Sequence, residues 1–85
     1  MDDQVILDTL TQALRDLLGD QTIVLTADTK RADVPNWDSF AYVNFIVVAE
    51  MQFGIKFSVS EVESFENVGA IVARIKELTG AQDTV

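Results

Sequence analysis

The chain has 85 residues, room for one small domain with one modest core, and its 48% hydrophobic and 24% charged residues are an ordinary globular balance. With 14 acidic and 6 basic residues the net charge is −8, which argues against a nucleic-acid or anionic-membrane surface and favours solubility and partners with basic patches. There is no cysteine and no histidine, so disulfides, thiolate chemistry, a His-based triad and a His metal site are excluded.

The opening "MDDQVILDTL" is acidic at its start, unlike a signal peptide, and no apolar run approaches the roughly 20 residues that span a bilayer. A cytoplasmic, monomeric protein without a membrane span is expected. Val5, Ile6, Leu10, Ala13, Leu14, Leu17 and Leu18 recur at spacings of three and four, which predicts an amphipathic helix over about residues 4 to 18. Asp2 and Asp3 suit its N-terminus and Gly19 its C-cap. Residues 19 to 38 form a long connection in which Ile23, Val24 and Leu25 plug the core; a short strand there would have no partner. Pro35 stiffens its end and biases Val34 away from helix. Trp37 is read first as a core lid and second as a surface contact.

Asp38 caps a second helix from Ser39 to about Phe53, ended by Gly54. Ser58-x-x-Glu61 and Ser60-x-x-Glu63 are both capping-box spacings, so a short third helix fits near residues 60 to 65. Asn67 caps the last helix, whose stripe is Val68, Ile71, Val72, Ile75 and Leu78; Gly80 ends it, and residues 81 to 85 form a frayed tail. The fold class is all-α: a single domain, residues 1 to 85, built as a small four-helix bundle with a long first connection and a short third helix.

Ser39 has three explanations. It can be an ordinary first-turn residue, as most serines at helix starts are. A catalytic nucleophile fails on inventory, with no G-x-S-x-G elbow and no histidine base, so no catalytic residue and no metal ligand is assigned. A modification site, with the chemistry supplied by another enzyme, has physical support: an anion on Ser39 sits at a helix N-terminus, where free N–H groups and the dipole favour it. Asp38 beside it carries like charge.

"DSF" resembles the Asp-Ser-Leu motif of acyl carrier proteins. "DSFAYVNFIVVAEMQFGIKFS" is similar to that family's second helix and its exit, and "ENVGAIVARIKE" to its final segment. The order of helix, long loop, helix, short helix and helix matches as well. The resemblance implies that Ser39 carries a covalent 4′-phosphopantetheine arm derived from coenzyme A, with Asp38 and Phe40 as motif neighbours. The arm's thiol holds an acyl or aminoacyl cargo as a thioester. Implied partners are a phosphopantetheinyl transferase and acyl-loading and acyl-processing enzymes of a lipid, polyketide or related pathway. Three departures stand out. Phe40 replaces the usual leucine. "PNWD" replaces the Gly-Ala-Asp run of fatty-acid carriers and looks more like stand-alone carriers of specialised metabolism and some peptidyl carriers. Glu50 is the only charge between Ser39 and Phe53, where fatty-acid carriers are rich in acid.

At about 100° per residue, Tyr42, Phe45, Ile46, Ala49 and Phe53 gather on one side of the second helix and face the core. Phe40, Val43, Val47 and Met51 lie on another side. Either the long loop covers this second strip, or it stays exposed beside Ser39 for partner enzymes to dock on. The family uses its second helix for recognition, so the strip, with Glu50 and with the third-helix acids Glu61, Glu63 and Glu66 guiding encounter, forms the candidate partner surface. The rival class is an unmodified carrier-like module acting as a protein–protein adaptor. A small-molecule binder using the bundle interior is a third option.

Overall fold

The computed structural model describes the backbone of residues 2–83 and the side chains of residues 2–80. Four α-helices follow one another: α1 (Asp3–Leu18), α2 (Ser39–Phe53), α3 (Val59–Ser64) and α4 (Val68–Asp83). A single 3₁₀ turn, Arg31–Asp33, interrupts the connection between α1 and α2. No strand forms among the described residues.

Local chemistry sets the helix ends. Asp2 is extended and its Oδ1 accepts hydrogen bonds from the amides of Gln4 (2.8 Å) and Val5 (3.1 Å), satisfying two of the free donors at the start of α1. Gly19 and Gly54 close α1 and α2 at φ 67° and 64°, a left-handed conformation that residues with a Cβ rarely adopt. Ser58, not Ser60, starts α3: its Oγ accepts from the Glu61 amide (3.2 Å), while Glu61 Oε2 accepts from the Ser58 amide (2.8 Å). Asn67 caps α4 through the Ala70 amide (2.9 Å).

Gly80 does not end α4, which runs on to Asp83. Only Gly19 and Gly54 among the glycines have positive φ, so Gly80 is an interior helical residue rather than a left-handed cap. Residues 84–85 of the expected tail lie outside the described residues.

The core is built where three helices meet. Ile6, Leu10 and Leu14 of α1, Phe45 of α2 and Ile75 of α4 are wholly buried. α1 packs on both α2 and α4. Val5, counted in the α1 stripe from its spacing, is 51% exposed, because the inward line runs through Ile6, Leu10 and Leu14, each one turn apart. The connection supplies Ile23, Leu25 and Trp37 to the core, while Val24 between the first two points outward.

That connection is fastened at several points. Arg15 Nε donates to the Ile23 carbonyl (2.6 Å), and the amides of Val68 and Gly69 donate to the carbonyls of Thr29 and Ala27 (2.8 Å each). A Cβ on Gly69 would stand 2.7 Å from the Ala27 carbonyl oxygen. Glycine is therefore required there so that loop and helix backbones can approach. At the other end, Val34–Trp37 form a turn closed by the Trp37 amide on the Val34 carbonyl (3.3 Å). Pro35 sits at its second position and Asn36 takes φ 69° at its third, as a type II turn requires. This reversal drops the indole of Trp37 into the core as a lid, edge-on to Phe45 with ring centroids 5.1 Å apart.

Candidate functional site

Ser39 is the first residue of α2 and is exposed. It owes that place to Asp38, whose extended backbone and Oδ1–Ala41 amide bond (2.9 Å) cap the helix. With that oxygen spent on the cap, Asp38 serves as a helix start, and the Ser39 hydroxyl faces outward just above it.

The sequence reading missed the side chain that meets that hydroxyl. Arg31, in the 3₁₀ turn, donates from Nη1 to Ser39 Oγ at 3.4 Å, and its guanidinium carbon lies 5.6 Å from the centre of the Tyr42 ring. Nothing periodic marks Arg31. Its place depends on how a 20-residue connection folds back, which only the tertiary structure fixes. Tyr42 in turn donates its hydroxyl to the Val62 carbonyl of α3 (2.8 Å), joining α2 to α3. Burial raises the pKa of that phenol above its ordinary value, and the Arg31 charge offsets part of the rise.

Ser39 stands at the edge of a cleft of about 570 Å³ between α2, α3 and α4. Trp37, Tyr42, Val62, Phe65 and Ile71 give it apolar walls, and Arg31, Glu63 and Glu66 give it charge. The indole N–H of Trp37, which lines this cleft, is buried without a hydrogen-bond partner.

The second strip of α2 is open. Phe40 and Met51 are each 78% exposed, Val43 54% and Val47 45%, so the long connection does not cover them. Ile23, Leu25 and Trp37 of that connection are turned into the core instead. The inward side of α2 is Ala41, Phe45, Ile46 and Ala49, with Tyr42 and Phe53 half-buried.

The acids fall into two groups. Glu50 is half-buried and its Oε2 accepts from the Phe57 amide (2.8 Å), so it braces the α2–α3 connection from within. Glu61 closes the α3 capping box and stands with Oε1 2.5 Å from Arg74 Nε, a charge pair whose N–H is not aligned for a hydrogen bond. The Ser58 amide chiefly, and Arg74 in addition, hold the Glu61 carboxyl below its ordinary pKa. Glu63 and Glu66 are exposed on the cleft wall. Among the described residues no cluster of acids could hold a metal ion, and no helix is long and apolar enough to cross a membrane.

No protein-family model matches the chain, and no curated protein matches it significantly. Among solved structures, the chain is similar to the solution NMR structure of a holo acyl carrier protein from Geobacter metallireducens. The identity is 33%, the match covers 92% of this chain and 90% of that one, and the TM-score is 0.83.

Proposed function

The chain belongs to the acyl carrier protein family, and we propose that it carries its cargo on a 4′-phosphopantetheine arm attached to Ser39. The observation that carries this reading is the placement of the Ser39 hydroxyl: exposed, first in a capped helix, beside a guanidinium and at the edge of an open cleft. These surroundings fit an anionic group esterified to Oγ, since the helix start and Arg31 both favour negative charge there. Ser39 forms its O–P bond as the pyrophosphate bond of coenzyme A breaks; adenosine 3′,5′-bisphosphate leaves, and the hydroxyl proton passes to a base of the modifying transferase. When bound, the arm supplies a thiol that holds an acyl or aminoacyl group as a thioester, which the cysteine-free chain itself lacks.

The protein's own part is then to bind and present. The exposed strip Phe40, Val43, Val47 and Met51 lies on the helix that bears Ser39 and is the surface on which the transferase and the acyl-loading and acyl-processing enzymes dock. The acid-poor α2 and the Trp37-Asp38-Ser39 run favour a stand-alone carrier of specialised metabolism over a fatty-acid carrier. The test is incubation with coenzyme A, Mg²⁺ and a broad-specificity phosphopantetheinyl transferase. One arm should be added to the wild type and none to Ser39→Ala, with both proteins equally helical. Wild-type protein that stays unmodified across several transferases overturns the proposal.

A further inference from the structure

The chain has 6 basic residues, and three of them are occupied. Arg74 faces Glu61 and Glu77, Lys76 pairs with Asp3, and Arg15 holds the Ile23 carbonyl. Arg31 differs. Among the described residues it forms no ion pair, and its one hydrogen bond is the long contact to Ser39 Oγ. The acids near it in sequence, Asp28, Asp33 and Asp38, form no ion pair with it among the described residues. Asp33 Oδ2 accepts from the Lys30 amide (2.9 Å), and Asp38 Oδ1 accepts from the Ala41 amide. A guanidinium has five N–H donors in a rigid fork that suits phosphate oxygens, and here nearly all of them are unspent.

We infer that Arg31 is a positioning residue for the arm: its guanidinium binds the phosphodiester on Ser39 and ties the root of the arm to the rim of the cleft. This rests on the carrier reading above. The contact that reaches Ser39 Oγ at 3.4 Å is long for a neutral hydroxyl. A phosphorus bonded to that oxygen carries its charged oxygens one bond further out, where the fork makes short, charge-assisted bonds instead. The Tyr42 ring keeps the guanidinium in place before modification, and Tyr42 is itself anchored to α3 through Val62. The 3₁₀ turn that presents Arg31 is thus a built part of the arm's attachment site rather than a passive piece of loop.

The experiment compares wild type, Arg31→Gln and Arg31→Lys after transfer of the arm, with intact mass confirming a single arm on each. The ³¹P resonance of the phosphodiester is then recorded in low and in high salt, on either side of the roughly 0.1 M at which charges are screened over about 10 Å. The wild-type resonance should be displaced from that of Arg31→Gln in low salt and should move toward it in high salt. Arg31→Lys should fall between the two, since it keeps the charge and loses the fork. Coincident wild-type and Arg31→Gln resonances in low salt overturn the inference. Should Arg31→Gln refuse the arm, the ¹⁵N–¹H signals of the Arg31 guanidinium in unmodified and modified wild type decide: a shift on modification supports the clamp, and unchanged signals overturn it. A wild-type mass without an arm overturns the carrier reading itself and is seen before any phosphorus signal is sought.

Discussion

α1 and α2 are 16 and 15 residues long, each begins on an aspartate cap, and each ends on a left-handed glycine, yet they dress their outer faces differently. α1 buries Ile6, Leu10 and Leu14 and turns Asp8, Gln12 and Asp16 to water. α2 buries Ala41, Phe45, Ile46 and Ala49 and turns Phe40, Val43, Val47 and Met51 to water. Folding needs only one apolar stripe per helix, and α1 shows that this chain can supply a polar back. The apolar back of α2 is therefore surplus to the fold, and it lies on the one helix that begins with Ser39. Surface of that kind is what the proposed docking role calls for.

The comparison is broken most forcefully at two of the three phenylalanines of α2, one buried and one exposed. Phe45→Ala should cost about 3–5 kcal/mol in chemical denaturation, because the wholly buried ring leaves a cavity. Phe40→Ala should change stability by within about 0.5 kcal/mol. Similar losses at both would mean that the second strip is structural after all.

Next in size is the docking effect. Val47→Arg should leave the melting temperature nearly unchanged and lower the transferase's kcat/KM for the protein by about tenfold or more, since removing one buried side chain forfeits roughly 1.5–3 kcal/mol. Unfolding of this variant would place Val47 in the core; normal folding with normal kinetics would move recognition off the strip.

A comparable or smaller cost is expected at the junction of the connection with α4. Alanine is a better helix former than glycine by roughly 0.5–1 kcal/mol, yet Gly69→Ala should destabilise by about 1–3 kcal/mol, because its Cβ would press on the Ala27 carbonyl. A stabilised Gly69→Ala in thermal melts would show that the connection yields freely.

The smallest effect is acid-dependent. Glu61 has a depressed pKa in the folded protein, so the unfolded chain takes up its proton first as pH falls. The stability from Glu61 is complete above the ordinary glutamate value of 4.5 and is lost as pH falls through the lowered folded value. Glu61→Gln should flatten that part of a stability–pH curve. Asp20, lowered chiefly by the Thr22 hydroxyl, contributes in the neighbouring acid range and should remain in the variant's curve. A curve unchanged by Glu61→Gln would mean that the α3 cap does not depend on the carboxylate.

The two helices also show what a sequence can disclose. Asp38 and Gly54 bracket α2 at the residues where it begins and ends, because cap chemistry is local. The family likeness of "DSF" and of the flanking helix pointed to Ser39 for the same reason: the motif lies within one stretch of chain. What could not be read depends on distant contacts. Periodicity alone does not say whether a second apolar stripe meets another segment, and the bare face of α2 followed only once Ile23, Leu25 and Trp37 were seen inside the core. Arg31 reaches Ser39, and Gly69 touches Ala27, by the path of the long connection. Gly80 misled because glycine marks a helix end only where φ turns positive, and there it does not. Thr79, a polar residue the helical stripe does not include, is buried with its hydroxyl satisfied on the Ile75 carbonyl (2.8 Å) within its own helix.

The most direct measurement is the intact mass of the protein purified from its native host, before and after hydroxylamine, with the modified peptide mapped. The carrier assignment predicts a single arm on the peptide that contains Ser39, with an acyl mass on part of the population that hydroxylamine removes as a thioester. A bare polypeptide mass, or an arm mapped to any residue other than Ser39, would contradict it.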